Sequence, residues 1–360
     1  MGGAERWYRN LALRLRDAGH DVTYVTLRQW DGDLEDLEGI DVRIAGPRMD
    51  LYVGDRRRIA PPLVFGLGVF WHLLRHGRRY DVVHTASFPY FSLLAAAATR
   101  PLGRFRIVSD WHEVWSREYW REYLGRVGGG IGHTVQRLCA RVRQHAFCFS
   151  ELHAARLREE GLRGGVTVLK GEYEGSLEPP TPNEADPLVV FAGRHIPEKR
   201  AAAVPPAVAV AAESLPGLRG IVFGDGPERE RVLAQLPPMV EAPGFVDHTE
   251  IESALRRALC LVLPSRREGY GLIVVEASAA GTPSVVVREP DNAAVELVED
   301  GLNGVIAASS SPEDLAAAIL RVHEGGPAMR VSTCDWFARN ARRLSLESSL
   351  ETVLAGYARR

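Results

Sequence analysis

The stretch LCLVLPSRREGYGLIVVEASAAGTPSVVV, residues 259–287, decides the fold. It opens on a branched apolar run ending in Pro264 and Ser265, crosses a glycine-punctuated loop, and enters a helical pattern near Gly271. After Gly281 a second branched run follows, TPSVVV. Short apolar runs of this kind suit strands covered on both faces, and a helix returning between two of them makes the strands parallel.

The same alternation extends in both directions. LVVFAG from 188, RGIVFGDG, APGFV and LCLVLPS each end in small or polar residues before a helical segment. Nearer the N-terminus, Trp7, Leu11, Leu15 and Ala18 recur at helical spacing before Gly19, and DVTYVTL, YDVVHTA and RFRIVSD read as strands. Between the two blocks, EYEGSLEPPTPNEADP has neither periodicity and reads as a linker. The sequence therefore predicts an α/β chain of two Rossmann-like domains.

Composition narrows the function. The chain has 360 residues, too many for one ordinary core, and a net charge of −2 gives no reason to expect nucleic-acid binding. The four cysteines, Cys139, Cys148, Cys260 and Cys334, show no metal-ligand spacing, and no metal site is expected. No signal peptide opens the chain, so a cytoplasmic location is expected. PPLVFGLGVFWHLLRHGRR, from Pro61, is too short an apolar run to span a bilayer. Its apolar face could rest on a membrane beside Arg75, Arg78 and Arg79, although a helix packed in an α/β domain is the simpler reading.

In open parallel sheets, ligands bind at the carboxyl ends of strands. GRHIPEK, GDGPER, GFVDH and PSRREGYGLIVVE all follow strands of the second block. Arg194, Lys199 and the amides of a helix starting near Gly271 suit a diphosphate. Glu268 and Glu276 flank that cradle, as a nucleotide-sugar would require, with ribose at one end and sugar hydroxyls at the other. Equally, Glu268 could cap the helix and Glu276 could be solvated. GDGPER lacks the third glycine of a dinucleotide fingerprint, which argues against a dehydrogenase.

EGYGLIVVEASAAGTPSVV resembles the E-x7-E signature of the family 4 retaining glycosyltransferases, which have the GT-B fold. GGAE at 2–5, SDWHEVW, FAGRHIPEK, FGDGP, PGFVDH and VEDGLNG occur in the family's order and cover nearly the whole chain. The resemblance implies two Rossmann-like domains facing a central cleft, with a C-terminal helix crossing back to the first. The expected division is an acceptor domain over 1–171, a linker over 172–187, a nucleotide-sugar domain over 188–334 and the returning helix over 335–360. It further implies metal-independent transfer of a hexose-type sugar from a nucleotide-diphosphate donor to an acceptor hydroxyl, with anomeric configuration retained. No cofactor beyond the donor is implied. The acceptor, whether glycan, lipid-linked or small molecule, is not named by the sequence. An inactive nucleotide-sugar-binding protein and a sugar-nucleotide epimerase of the same fold are the alternatives.

By position, the resemblance assigns His112 to the reacting centre and Arg194 and Lys199 to the diphosphate. Glu268 would hold hexose hydroxyls and Glu276 the ribose. Gly271 and Leu272 would face the phosphates through their amides, with Tyr270 in the same donor set, and Val246 would meet the base through its backbone. Gly2 and Gly3 would form a loop closing on the donor.

Three features depart from the family. KGEYEG at 170–175 replaces the usual Pro-Asn-Gly stretch, and Pro205 and Pro206 are expected to interrupt or kink the helix after Lys199. GGAE, which should follow a first strand, opens the chain. That strand belongs in the middle of a doubly wound sheet, so Met1 is expected to be a truncated or misassigned start.

Overall fold

The computed structural model describes residues 3–28, 37–50, 52–53, 56–88 and 90–358. The chain divides into two compact units. One comprises Met1–Phe149, His153–Leu169 and Leu350–Arg360, and the other Ser150–Leu152 and Lys170–Ser349.

The first unit begins with α1 (Gly3–Asp17), β1 (Thr23–Thr26), β2 (Asp41–Ile44) and a hairpin of β3 (Tyr52–Val53) and β4 (Arg56–Arg57). It continues with α2 (Ala60–His76), β5 (Val82–Ala86), α3 (Phe91–Gly103), β6 (Arg106–Trp111), α4 (Arg117–Ala140), β7 (His145–Cys148), α5 (Glu151–Glu159) and β8 (Val166–Val168). Among the described residues its parallel strands form two sheets, β1-β2 and β5-β6-β7-β8. The single continuous sheet that a doubly wound domain would have is thus divided, and β1 and β5 each pair with one neighbour. The core gathers Leu93, Phe105, Ile107, Trp111, Cys148 and Leu157 between β6, β7 and the helices over them.

Gly3 begins α1 instead of standing in a loop, and Gly2 lies outside the described residues. The helical spacing read from Trp7 and Leu11 is that of α1, whose two residues are buried, and Gly19 ends the turn after it with φ 83°.

The second unit is built on one six-stranded parallel sheet, with a separate two-stranded parallel pair beside it in sequence. Its elements are β9 (Leu188–Ala192), α6 (Val204–Ser214), β10 (Arg219–Phe223), α7 (Arg229–Leu233), β11 (Val240–Gly244), α8 (His248–Arg257) and β12 (Cys260–Leu263). There follow β13 (Arg267–Glu268), α9 (Leu272–Ala279), β14 (Ser284–Val287), β15 (Asp291–Asn292), β16 (Gly304–Ala307) and α10 (Pro312–Leu344), and then α11 (Leu346–Ala358), most of which belongs to the first unit. The order is β11-β10-β9-β12-β14-β16, so β9 and β12 lie in the middle. Every residue of β9, β12 and β14 is buried, as the unbroken apolar runs require of strands covered on both faces.

Two expectations change. Pro205 and Pro206 do not interrupt a helix; they occupy its first turn, where a missing N–H costs nothing and the fixed φ suits the helix. The long helix read from Asp335 belongs to α10, which kinks at Gly326 (φ 50°) before Pro327 and ends at Leu344. Ser345 separates it from α11, so residues 335–349 stay with the second unit and the chain rejoins the first at Leu350. There Tyr357 on α11 hydrogen-bonds His84 through its hydroxyl.

Candidate functional site

The loops after β9, β10 and β12 are knitted together at the carboxyl end of the sheet. The N–H of Gly193 donates to Phe223 O at 3.2 Å, that of His195 to Asp225 O at 2.9 Å, and that of Arg266 to Glu198 O at 2.8 Å. Gly224 allows the closest of these approaches: at φ 121°, a Cβ there would lie 1.9 Å from the Gly193 carbonyl oxygen. The sequence places small residues here because two backbones must touch.

Within this framework Lys199 and Glu268, 69 residues apart in sequence, form an ion pair at 2.5 Å. Glu268 is buried and its Oε1 also accepts from Ser265 Oγ at 2.8 Å. Glu268 is therefore not a helix cap. Its carboxylate is fixed from two sides at the end of β12. Ser265 was not singled out by the sequence, although its place three residues before Glu268 in the same tight loop was the available signal. Asn292 also went unread. It is buried, donates to Ser265 O at 3.0 Å and to Val287 O at 2.9 Å, and so holds the Glu268 loop against β14. Arg200, at φ 50°, pairs with Glu289 at 2.6 Å and fixes the turn that presents Lys199.

Arg194 is exposed and its side chain has no partner among the described residues. Gly271, at φ 105°, stands immediately before α9, where a Cβ would meet Ala294 Cβ at 2.6 Å. The first amides of α9, beginning with Leu272, thus open the helix with no side-chain cap. Glu276 is the fifth residue of α9 and is half-buried. Tyr270 is buried, and its hydroxyl donates to Lys170 O at 2.6 Å. That contact ties the loop to the start of the linker, and burial raises the phenol pKa. Val246 is half-buried in the turn after β11, beside the exposed Phe245.

His112 follows β6 directly, in the first unit. Its ring stacks on Phe149 with centroids 4.4 Å apart and planes 10° from parallel. Burial lowers its pKa, opposed by the carboxylates of Asp110 and Glu113, so the imidazole is neutral at neutral pH. Asp110 is fully buried and accepts from Trp7 Nε1 at 2.6 Å and pairs with His84 Nε2 at 2.8 Å. Burial alone would raise the Asp110 pKa, but His84 and the Trp7 hydrogen bond hold it below the ordinary value. The structure thus gathers Lys199 and Glu268, with the loops carrying Arg194 and Gly271, in the second unit, and holds His112 in the first.

These shifts set a pH dependence. His72, His112 and His195 all have pKa values lowered from 6.5, chiefly by burial. Each binds a proton more readily in the unfolded chain, so no penalty exists above pH 6.5 and one grows as pH falls below it. Asp110 contributes stability above its ordinary 3.8 that is lost on further acidification. The urea midpoint should therefore fall between about pH 7.5 and about pH 5.5. His195→Gln should narrow the difference, and a midpoint unchanged over that interval would contradict the argument.

Most of the chain matches known families in two successive parts. The family described as Glycosyltransferase Family 4 matches residues 1–169, and that described as Glycosyl transferases group 1 matches residues 176–343. A glycogen synthase of Mycobacterium tuberculosis is 27% identical over 350 residues, covering 89% of this chain and 82% of its own. Among solved structures, sucrose-phosphate synthase from Thermosynechococcus elongatus superposes with a TM-score of 0.79 at 20% identity, over 99% of this chain and 93% of its own. Anabaena HepE in complex with UDP gives 0.74 at 19% identity, over 99% and 96%. With two parallel Rossmann-like units and these matches along its length, the chain belongs to the family 4 glycosyltransferases of GT-B fold.

Proposed function

We propose that this glycosyltransferase moves a hexose from a nucleotide-diphosphate donor to an acceptor hydroxyl, with retention and without a metal. The observation that carries this is the Lys199–Glu268 pair beside the uncapped start of α9. A cation is held next to a buried carboxylate, and exposed Arg194 lies on the loop that ends at Lys199. The HepE neighbours, solved with UDP and with UDP-glucose, support a nucleotide-sugar donor.

As the bond from the anomeric carbon to phosphate lengthens, negative charge collects on the diphosphate. Lys199, held by Glu268, and the amides at Gly271 and Leu272 stabilise that charge from fixed positions, and exposed Arg194 adds a second cation, so no metal is needed. Glu268, oriented by Lys199 and Ser265, accepts hydrogen bonds from hexose hydroxyls, and Glu276 accepts from the ribose diol. Val246 meets the base through its backbone. Neutral His112 orients the sugar and can accept or donate a hydrogen bond at the reacting centre. No carboxylate is assigned to the face opposite the leaving group, so the acceptor hydroxyl attacks on the leaving-group face and passes its proton to the departing diphosphate oxygen, which accounts for retention.

The test is incubation with a panel of sugar nucleotides in EDTA, with proton NMR of the products. Slow release of nucleoside diphosphate and a sugar first seen in the donor's anomeric configuration is the expected result. An inverted sugar, an epimerised donor, or activity only on adding a divalent ion would each refute a stated part. Binding without turnover for every donor, with and without simple acceptors, would favour an inactive binding protein.

A further inference from the structure

We propose that α2 is a docking surface for an anionic lipid bilayer. The helix buries Pro61, Gly66, Val69 and Leu73, packing so closely on α3 that a Cβ at Gly66 would lie 2.4 Å from Phe91 Cβ. Its other face is also apolar. Ile59, Leu63, Leu67 and Trp71 stand four residues apart, with Leu74 next, and form one stripe along the helix. Ile59 is 65% exposed, Leu67 61% and Trp71 51%. Ordinary solvated helices carry charge at such positions, yet α2 contains no Asp or Glu at all.

The end of the stripe is strongly basic. Arg75 closes the last turn with its guanidinium 5.1 Å from the Trp71 ring, and exposed Arg78 and Arg79 follow. Arg78 also lines a cavity of about 840 Å³ that it shares with Arg104 and Arg106, against a single acid, Asp81. An apolar stripe with an aromatic residue and a cationic flank is the pattern of a helix lying in the plane of a membrane surface. The cations select anionic headgroups, to which each contributes at short range. No described helix is long and apolar enough to cross a membrane. α2 carries no acid that could pair these arginines across a second copy docked on the stripe, whereas anionic headgroups can, so charge favours the bilayer.

The test is co-sedimentation of the whole chain with phosphatidylcholine vesicles and with vesicles containing phosphatidylglycerol. Partitioning into the anionic vesicles should exceed that into neutral ones by about tenfold and weaken with salt. Leu67→Glu with Trp71→Glu, and separately Arg75→Glu with Arg78→Glu and Arg79→Glu, should each reduce it by about tenfold. Nucleoside-diphosphate binding in the absence of vesicles should stay unchanged in both, which separates this result from the donor reading. Because the four cysteines are buried, Trp71→Cys can carry a polarity-sensitive dye, whose emission should shift blue on adding anionic vesicles. Failure of the unaltered chain to sediment with anionic vesicles overturns the proposal. So does undiminished binding by the variants, or a dimer in solution that Leu67→Glu with Trp71→Glu dissociates.

Discussion

Arg194→Ala will lower turnover by about two to three orders of magnitude and leave folding nearly untouched. Its side chain is exposed and has no protein partner among the described residues, so little in the folded chain depends on it. Its function is to meet charge that exists only when donor is bound and grows as the sugar leaves. Lys199→Ala should cost a similar factor in turnover but carry a second penalty. It leaves the buried Glu268 carboxylate with Ser265 as its remaining partner, which costs about 1–3 kcal/mol of folding stability. Lys199→Ala with Glu268→Gln should recover much of that stability without recovering turnover. Steady-state kinetics and urea unfolding on the four proteins check both halves. Near-normal turnover in both single variants would remove the two cations from the mechanism. Equal stability losses for Arg194→Ala and Lys199→Ala would contradict the ion pair's structural role.

Gly271→Ala should be the most damaging single methyl group in the donor loop. The residue sits at φ 105°, where an L side chain is strained, and its Cβ would lie 2.6 Å from Ala294 Cβ. Left-handed strain and overpacking together are expected to cost about 2–4 kcal/mol. Relief can come only by shifting the start of α9 away from Ala294, and that start supplies the amides proposed to face the diphosphate. Calorimetry should therefore show nucleoside-diphosphate affinity falling by about tenfold or more, since small misplacements of a preorganised site are costly. Gly130→Ala is the matched control. It lies on α4 at ordinary helical φ, and a Cβ there meets nothing within 4 Å, so it should be neutral or slightly stabilising. If Gly271→Ala binds nucleoside diphosphate normally, the backbone at α9 is not the phosphate cradle.

By itself, the sequence determined what depends on near neighbours. Branched runs such as Leu188–Ala192 and Ser284–Val287 specified buried parallel strands, and the Trp7–Leu11 spacing specified α1, because hydrophobic period is a local property. The motifs on the loops between them named the family, since each lies within a few residues of a strand end. What the sequence could not determine is which distant loops converge. Lys199 and Glu268 meet only because β9 and β12 are adjacent in the middle of the sheet, and Ser265 and Asn292 matter only once that adjacency exists. Pro205 and Pro206 were misread for the same reason: their effect depends on where the helix starts, and the turn held by the Arg200–Glu289 pair precedes that start. The place where the chain rejoins the first unit, at Leu350 and not at 335, likewise followed from a break at Ser345 that no periodicity marks. The apolar stripe on α2 was visible as hydrophobic sequence, but only the packing of Val69 and Leu73 on the opposite face left Leu67 and Trp71 in solvent. Periodicity says that a helix has an apolar face; tertiary contacts decide which apolar residues are covered.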